Sequence, residues 1–301
     1  FFNDIMFYLV YPFFWLLSLL PLNFLYCVAK PLYFFIYYVV RYRRKVVRAN
    51  LLHSFPDKSL PDLIKVEKNF YHFFSELLVE IVKLIHMSNE ELNKRVTFVD
   101  TERFFELCSQ GRYPLLMLGH YGNWEWILSM SLLMPKNTSA FTVYKRLKNK
   151  KFDQFMLNLR TKRGAVMVEK RSLLRNMIRW AKEGKLGGYG IIADQSPGGK
   201  NIQNWTTFLH QETAILPGAE ELARKFNYPV FYARVSRPKR GYYQCQIIPI
   251  ALEPQKTSEN EISQRFMHLL EEDILSHPQY WLWTHRRWKH QRTNQLPINE
   301  S

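Results

Sequence analysis

Between Ile5 and Ala29 no side chain carries a charge. Wound as a helix, a run of that length crosses a hydrocarbon core of ~30 Å. Residues 1–40 hold 15 aromatics and only two charges, Asp4 and Lys30. Pro12 and Pro21 interrupt the run, so a kinked span and a shallow re-entrant hairpin both satisfy the pattern. Arg41-Tyr42-Arg43-Arg44-Lys45-Val46-Val47-Arg48 follows at once, five cations in eight residues. Such a flank marks the cytoplasmic side by the positive-inside rule and suits anionic headgroups. A cleaved signal peptide does not fit, because the run is too long and no small-residue cleavage site follows it. The expected organisation is therefore a membrane anchor over residues 1–40 and a cytoplasmic unit over 41–301. A helical hairpin buried in the protein is the competing reading.

Composition narrows the second unit. Hydrophobic residues make up 47% of the chain, enough apolar surface to offset the entropy of ordering it, which excludes disorder. Cys27, Cys108 and Cys245 lie too far apart in sequence for a disulfide scaffold or a Cys-rich zinc site. The formal charge of +16 falls entirely after residue 40, so the folded unit meets something acidic. Nucleic acid is one such partner, but no recognition motif of the known families is present.

From residue 50 onward, helical and extended patterns alternate. Asp57 to His86 places apolar residues at helical spacing. Residues 114–118, 140–144, 189–194, 230–235 and 242–250 read as short buried strands. Helices are expected near 149–163, 173–183, 218–226 and 258–276. Helices of this length between short apolar runs predict an α/β fold with a mixed central sheet flanked by helices, and no linker divides it.

Chemistry-bearing residues collect where strands end. In Leu118-Gly119-His120-Tyr121-Gly122-Asn123-Trp124-Glu125 an apolar strand delivers His120 to its C-terminal tip, where α/β sheets place ligands. The flanking glycines allow a sharp turn and a close approach of substrate to backbone. Glu125 falls in the first turn of the next helix, near enough to fold back towards the imidazole. A carboxylate on one ring nitrogen fixes the tautomer and makes the other a better base, which serves to deprotonate a hydroxyl. Asp194 sits at a second strand tip before Gln195-Ser196-Pro197-Gly198-Gly199-Lys200; it supplies the imidazole partner instead of Glu125, or anchors the loop. That loop lacks the glycine spacing and the following Ser/Thr of a phosphate-binding P-loop.

From Lys145 to Arg163 the chain carries eight cations against one acid, Asp153. Half of them read as a solvated face, whereas Lys145 and Arg146 directly follow a strand and are placed to reach a phosphate. The residues assigned to substrate or phosphate binding are Lys145, Arg146, Arg160, Asn123 and Gln195. Near the C-terminus, Tyr280-Trp-Leu-Trp-Thr-His-Arg-Arg-Trp-Lys289 mixes aromatics with cations and is expected in a bilayer interface or in the core. No metal site is expected, because the nine histidines form no His-Glu-x-x-His or Cys/His set. Neither a Gly-x-Ser-x-Gly elbow nor an activated cysteine is present.

Taken in order, the apolar anchor, basic segment, His-x4-Glu, strand with basic residues, Ala-Asp-Gln-x-Pro-Gly-Gly and C-terminal Gln-Tyr-x-x-Trp-x-His-Arg-Arg-Trp-Lys resemble the bacterial lipid A late acyltransferases. These belong to the lysophospholipid acyltransferase superfamily, and the resemblance covers nearly the whole chain. It implies a glycerolipid acyltransferase-like fold in a protein of the bacterial inner membrane. It also implies a reaction that moves a fatty acyl chain from acyl carrier protein or coenzyme A to a hydroxyl of a phosphorylated glycolipid. The acyl thioester is then a co-substrate and no other cofactor is expected. Carried over, His120 is the general base and Glu125 the acidic member of the signature. Asp194 matches the acidic position of the Ala-Asp-Gln segment, and Phe208, Thr213, Gly218 and Glu220 fit the pattern that follows. Members often carry Arg after the Val-Tyr pair; here Lys145 stands there and Arg146 comes next, so either takes that role. Other readings are a lysophospholipid, inositol-mannoside or amino-acid lipid acceptor, and a membrane lipid-binding protein without catalysis.

Overall fold

The computed structural model describes residues 2–198, 202–290 and 292. Gly199 and Lys200 of the loop after Asp194 lie outside them. Seven strands form one mixed sheet: β1 Val96–Val99, β2 Leu115–Leu118, β3 Thr138–Tyr144, β4 Val166–Glu169, β5 Leu186–Ile192, β8 Val230–Lys239 and β9 Tyr242–Ala251. Two more, β6 Trp205–Phe208 and β7 Gln211–Ala214, pair as a separate hairpin. The order across the large sheet is β1-β9-β8-β2-β5-β3-β4. Neighbours run parallel except β8 and β9, which are antiparallel. The helices are α1 Phe2–Leu19, α2 Leu22–Phe34, α3 Arg44–Ser54, α4 Leu60–Lys83, α5 Asn89–Arg95, α6 Glu102–Ser109, α7 Trp124–Ile127, α8 Lys150–Thr161, α9 Leu173–Lys182, α10 Gly218–Phe226 and α11 Glu261–Ser276.

Side chains alternate between the two faces of a strand, and that alternation decides what each face becomes. On one face, Leu116 of β2 lies level with Gly190 of β5, and Gly190 with Thr142 of β3; Gly188 lies level with Ala140. On the other face, Phe141 and Tyr189 stack at 4.9 Å and Phe141 stacks on Trp180 of α9 at 4.5 Å. Phe266 of α11 packs edge-on against Tyr232 on that same side. The first face is covered by α4, α6, α7 and α8. One face is thus filled with aromatic bulk, and the other is left with glycine and alanine at its centre.

The uncharged N-terminal run is divided rather than continuous. Pro12 is carried inside α1, whereas Pro21 stands at the start of α2 and separates the two helices. After α2 the backbone winds as a π-helix over Phe35–Val39. The segment Leu22–Val39 is long and apolar enough to cross a membrane. One side of α2 is nevertheless buried on the body: Leu22, Leu25, Tyr26, Ala29 and Tyr33 face α4, at the spacing of a single helix stripe. Phe24 and Phe34 on its other side are exposed, as are Phe35 of the π-helix and Phe13 and Leu16 of α1. The anticipated boundary at residue 40 is therefore crossed by extensive packing.

A buried carboxylate ties this arrangement together. Glu80 of α4 is fully buried. Its side chain accepts from Tyr26 Oη at 2.7 Å, Tyr243 Oη at 2.7 Å and Asn123 Nδ2 at 2.8 Å, and its carbonyl accepts from Trp126 Nε1 at 3.2 Å. Helix α2, strand β9 and the segment after β2 are all fixed to one side chain. Glu80→Ala leaves three buried donors without a partner, each costing ~1–3 kcal/mol. Its thermal midpoint in detergent should fall much further than that of Tyr26→Phe, which removes one donor and costs about 1 kcal/mol. Equal midpoints for the two variants would contradict this role of Glu80.

Candidate active site

Strand β2 stops at Leu118 and the chain turns through residues 119–123 before α7 begins. Gly122 makes that turn at φ +61, and a Cβ there would lie 2.8 Å from Val235 Cγ1; both facts favour glycine. Asn123 caps α7 by accepting from Trp126 N at 3.1 Å while its amide donates to Glu80. Expected among the substrate-binding residues, Asn123 is instead fully buried and shapes the turn from behind.

His120 emerges at the strand tip, and β5, running parallel beside β2, brings Asp194 level with it. The two strands stay in register past their ends, with Ala193 N donating to Leu118 O at 3.0 Å. His120 Nδ1 lies 2.7 Å from Asp194 Oδ1, and the His120 backbone N–H donates to Oδ2 at 2.8 Å. Trp281 Nε1 donates to the same Oδ2 at 2.9 Å. The sequence allows either Glu125 or Asp194 as the imidazole partner; the geometry gives it to Asp194.

Of the C-terminal aromatic and basic stretch, Trp281, Trp283 and Arg287 lie in the core, whereas Arg286 and Lys289 are exposed. Trp281 is 2% and Trp283 0% exposed. Residues 280–282 run against the His120 turn, with Leu282 N donating to His120 O at 3.0 Å and Gly122 N to Tyr280 O at 3.0 Å. Trp288 Nε1 donates to Thr213 Oγ1 at 2.7 Å, and Phe208 packs edge-on against Trp281. Glu220 accepts from Ser263 N and Oγ at 3.0 and 2.6 Å. Phe208, Thr213 and Glu220 are accordingly packing residues here. Trp281 was legible only as a core or interface aromatic; its bond to Asp194 is a contact across 87 residues.

Burial alone opposes ionising both His120 and Asp194, but their mutual attraction outweighs it. Asp194 is held down to about 2, and His120 is raised above the ordinary imidazole value. A carboxylate against Nδ1 places the proton there and leaves the Nε2 lone pair outward. Gln195 Nε2 stands 3.2 Å from that nitrogen, and Trp124 meets the ring edge-on at 5.0 Å.

Outward from Nε2 lies a cavity of about 540 Å³. His120, Gln195, Glu125 and Arg160 make its polar end; Leu128, Met130, Met134, Met167 and Phe104 line its apolar part. The sheet floor is the hollow face described above, with Ala140, Gly188 and Gly190 among its lining. A Cβ on Gly188 would sit 2.7 Å from the Phe104 ring.

Glu125 points across the cavity wall to α8, where its two oxygens accept from Arg160 Nε at 2.9 Å and Nη2 at 2.5 Å. Arg160, expected to bind phosphate, is therefore engaged on one edge by a carboxylate. Lys145 and Arg146 are exposed at the mouth, with Arg146 paired to Glu169 at 3.0 Å. Lys148 and Lys170 line the mouth as well. Lys170 follows β4, whose four residues are mostly half-buried and so do not stand out in the sequence as the equally short, fully buried β2 does. Among the described residues, no group of three or more His, Cys, Asp or Glu is placed to hold a metal.

A histidine–carboxylate dyad at the tip of a central strand, opening on an apolar cavity with a cationic mouth, suits an enzyme that transfers acyl chains. The chain belongs to the bacterial lipid A biosynthesis acyltransferase family, whose model matches residues 3–290. It is thus an acyltransferase acting on a lipid A-like acceptor, and it is membrane-associated. No curated protein matches the chain.

Arg160→Ala strands the Glu125 carboxylate, whose side chain is 5% exposed, whereas Glu125→Ala leaves a guanidinium that is 22% exposed and can turn to water. Removing one partner of a buried pair costs ~3–5 kcal/mol. Arg160→Ala should therefore lower the thermal midpoint more than Glu125→Ala, and the reverse order would refute this asymmetry.

Proposed function

We propose that this protein is a membrane-bound O-acyltransferase that moves a fatty acyl chain from a thioester to a hydroxyl of a lipid A precursor. The observation that carries the reading is the His120–Asp194 pair at the polar end of an apolar cavity. The acyl chain lies in the cavity with its thioester carbonyl towards His120. His120 Nε2 takes the proton of the acceptor hydroxyl as that oxygen attacks the carbonyl carbon. Collapse of the tetrahedral intermediate breaks the carbon–sulfur bond, and the imidazolium returns its proton to the departing thiolate. Asp194 stabilises the imidazolium in between. The acyl group passes directly to the acceptor, and acyl carrier protein or coenzyme A leaves as the thiol.

Around this centre, Glu125 holds Arg160 in the wall, while Gln195 sits where an incoming hydroxyl would approach Nε2. Lys145, Arg146 and Lys148 at the mouth suit the phosphates of the acceptor. The exposed faces of α1 and α2 supply the membrane contact. Because the other side of α2 is bound to α4, the helices are read as seated in one leaflet rather than as a free span. The basic segment 41–48 then lies at the headgroups of the inner membrane on the cytoplasmic side.

His120→Ala should lower transfer to a lipid A precursor by ~10²–10⁴-fold while leaving membrane association intact. Near wild-type turnover would overturn the assignment. The sign of the pH dependence follows from the raised pKa of His120. The unprotonated imidazole is the base, so the rate should rise with pH through a value above the ordinary imidazole pKa. In Asp194→Asn the residual activity should show that limb displaced to lower pH. A limb that stays put in the variant would separate Asp194 from the titration. Lipid mass spectrometry of a strain lacking the protein identifies the acceptor through the acylated species that disappears.

A further inference from the structure

Helix α9 carries a surface that the reading above does not use. Leu173, Met177 and Trp180 bury its inner side, and Trp180 stacks on Phe141. Its outer side shows Leu174 at 42% and Ile178 at 41% exposure. These two residues are one helical turn apart and form one apolar stripe. At ~3.6 residues per turn, Arg171, Arg175, Arg179 and Lys182 fall along one flank of the stripe, all exposed. Among the described residues Arg171, Arg175 and Lys182 have no acidic partner, and Arg179 reaches Glu183 only at 3.8 Å. An apolar stripe flanked by mostly unpaired cations fits a protein surface with an apolar ridge beside an acidic patch.

Position selects the kind of partner. The exposed apolar residues of α1 and α2 lie with α4, on the cavity side of the sheet, whereas α9 packs on the aromatic side. A bilayer seated on α1 and α2 therefore leaves α9 to the aqueous phase. Yet α9 begins beside the mouth of the cavity, since Lys170 lines that mouth and the helix starts at Leu173. The helix is about 15 Å long at ~1.5 Å per residue, so a flexible thioester arm anchored on it has a short path to His120.

We propose that the outer face of α9, Leu174 and Ile178 flanked by Arg171, Arg175, Arg179 and Lys182, is the docking surface for an acidic carrier protein that delivers the acyl chain as a thioester. This rests on the acyl-transfer reading above. The cations steer the acidic partner and set its orientation. The apolar pair provides the contact that persists once it is seated. A docked carrier thus approaches from the water side while the lipid acceptor approaches from the membrane side, and the two substrates meet at the mouth without competing for one surface.

The test uses the full chain in detergent micelles, with fluorescently labelled acyl carrier protein as the probe. The charge-reversal variant R171E/R175E/K182E should weaken carrier binding by about tenfold or more, and the neutral R171Q/R175Q/K182Q by less. In transfer assays KM for the acylated carrier should rise in both, with kcat at saturation little changed. Flotation with anionic phospholipid vesicles should be unaffected. The neutral variant keeps the test decisive if charge reversal harms folding. Unchanged carrier affinity, or loss of vesicle binding with carrier affinity intact, would overturn the proposal, the latter assigning the face to lipid. His120→Ala should still bind the carrier. If the wild type binds the carrier through α9 but transfers no acyl chain, the docking surface stands and the catalytic reading fails.

Discussion

Everything at the strand tips depends on how the Asp194 carboxylate is satisfied. An ionised carboxyl buried at 3% exposure is costly by several kcal/mol unless its oxygens are hydrogen-bonded. Here they meet the His120 ring, the His120 backbone N–H and the Trp281 indole. Those three donors come from the tip of β2 and from a segment near the C-terminus, while the acceptor follows β5. Satisfying one charge therefore closes the sheet's open end. The same bonds fix the imidazole tautomer, so the orientation of the ring is set by folding alone.

The strand-tip logic made much of this legible in the sequence. Apolar runs ending at His120 and Asp194 predict two chemical groups at neighbouring tips, and parallel pairing of β2 with β5 does the rest. Most of the helices and central strands are where periodicity puts them, to within a few residues. Glu125 is different: its distance along the chain from His120 suggested contact, but its side chain leans towards α8, where Arg160 lies 35 residues later. No local pattern encodes that choice. Asn123 carried a signal that went unused, since Asn directly before a helix is a capping residue. Strands β1, β4, β6 and β7 are as short as β2 but mix buried with half-exposed positions, so they lack the continuous apolar run that reveals β2.

The N-terminal run shows a different limit. Among residues that are nearly all apolar, a stripe facing protein and a face left exposed have the same hydropathy. The stripe Leu22, Leu25, Tyr26, Ala29 and Tyr33 becomes visible only through its partners, of which the Tyr26–Glu80 bond is the most specific. A long uncharged run is compatible both with crossing a bilayer and with lying against a protein. The polar group that α2 meets on α4 argues for the second.

The cavity follows from the period-two geometry of the sheet. Bulk missing from one face at Ala140, Gly188 and Gly190 is present on the other at Phe141 and Tyr189, where Trp180 and Tyr228 extend the stack. The aromatic face holds the strands together, so the hollow face need not contribute the same packing. Charge placement obeys a matching rule. A lone cation inside an apolar cavity would be desolvated without compensation, so the charged pair in the wall, Glu125 and Arg160, is mutually neutralised. The exposed cations stand at the mouth, where water solvates them. At this cavity, an apolar interior, a paired charge in the wall and a hydrated cationic rim thus follow from a single requirement, that no charge in the cavity be both desolvated and unpaired.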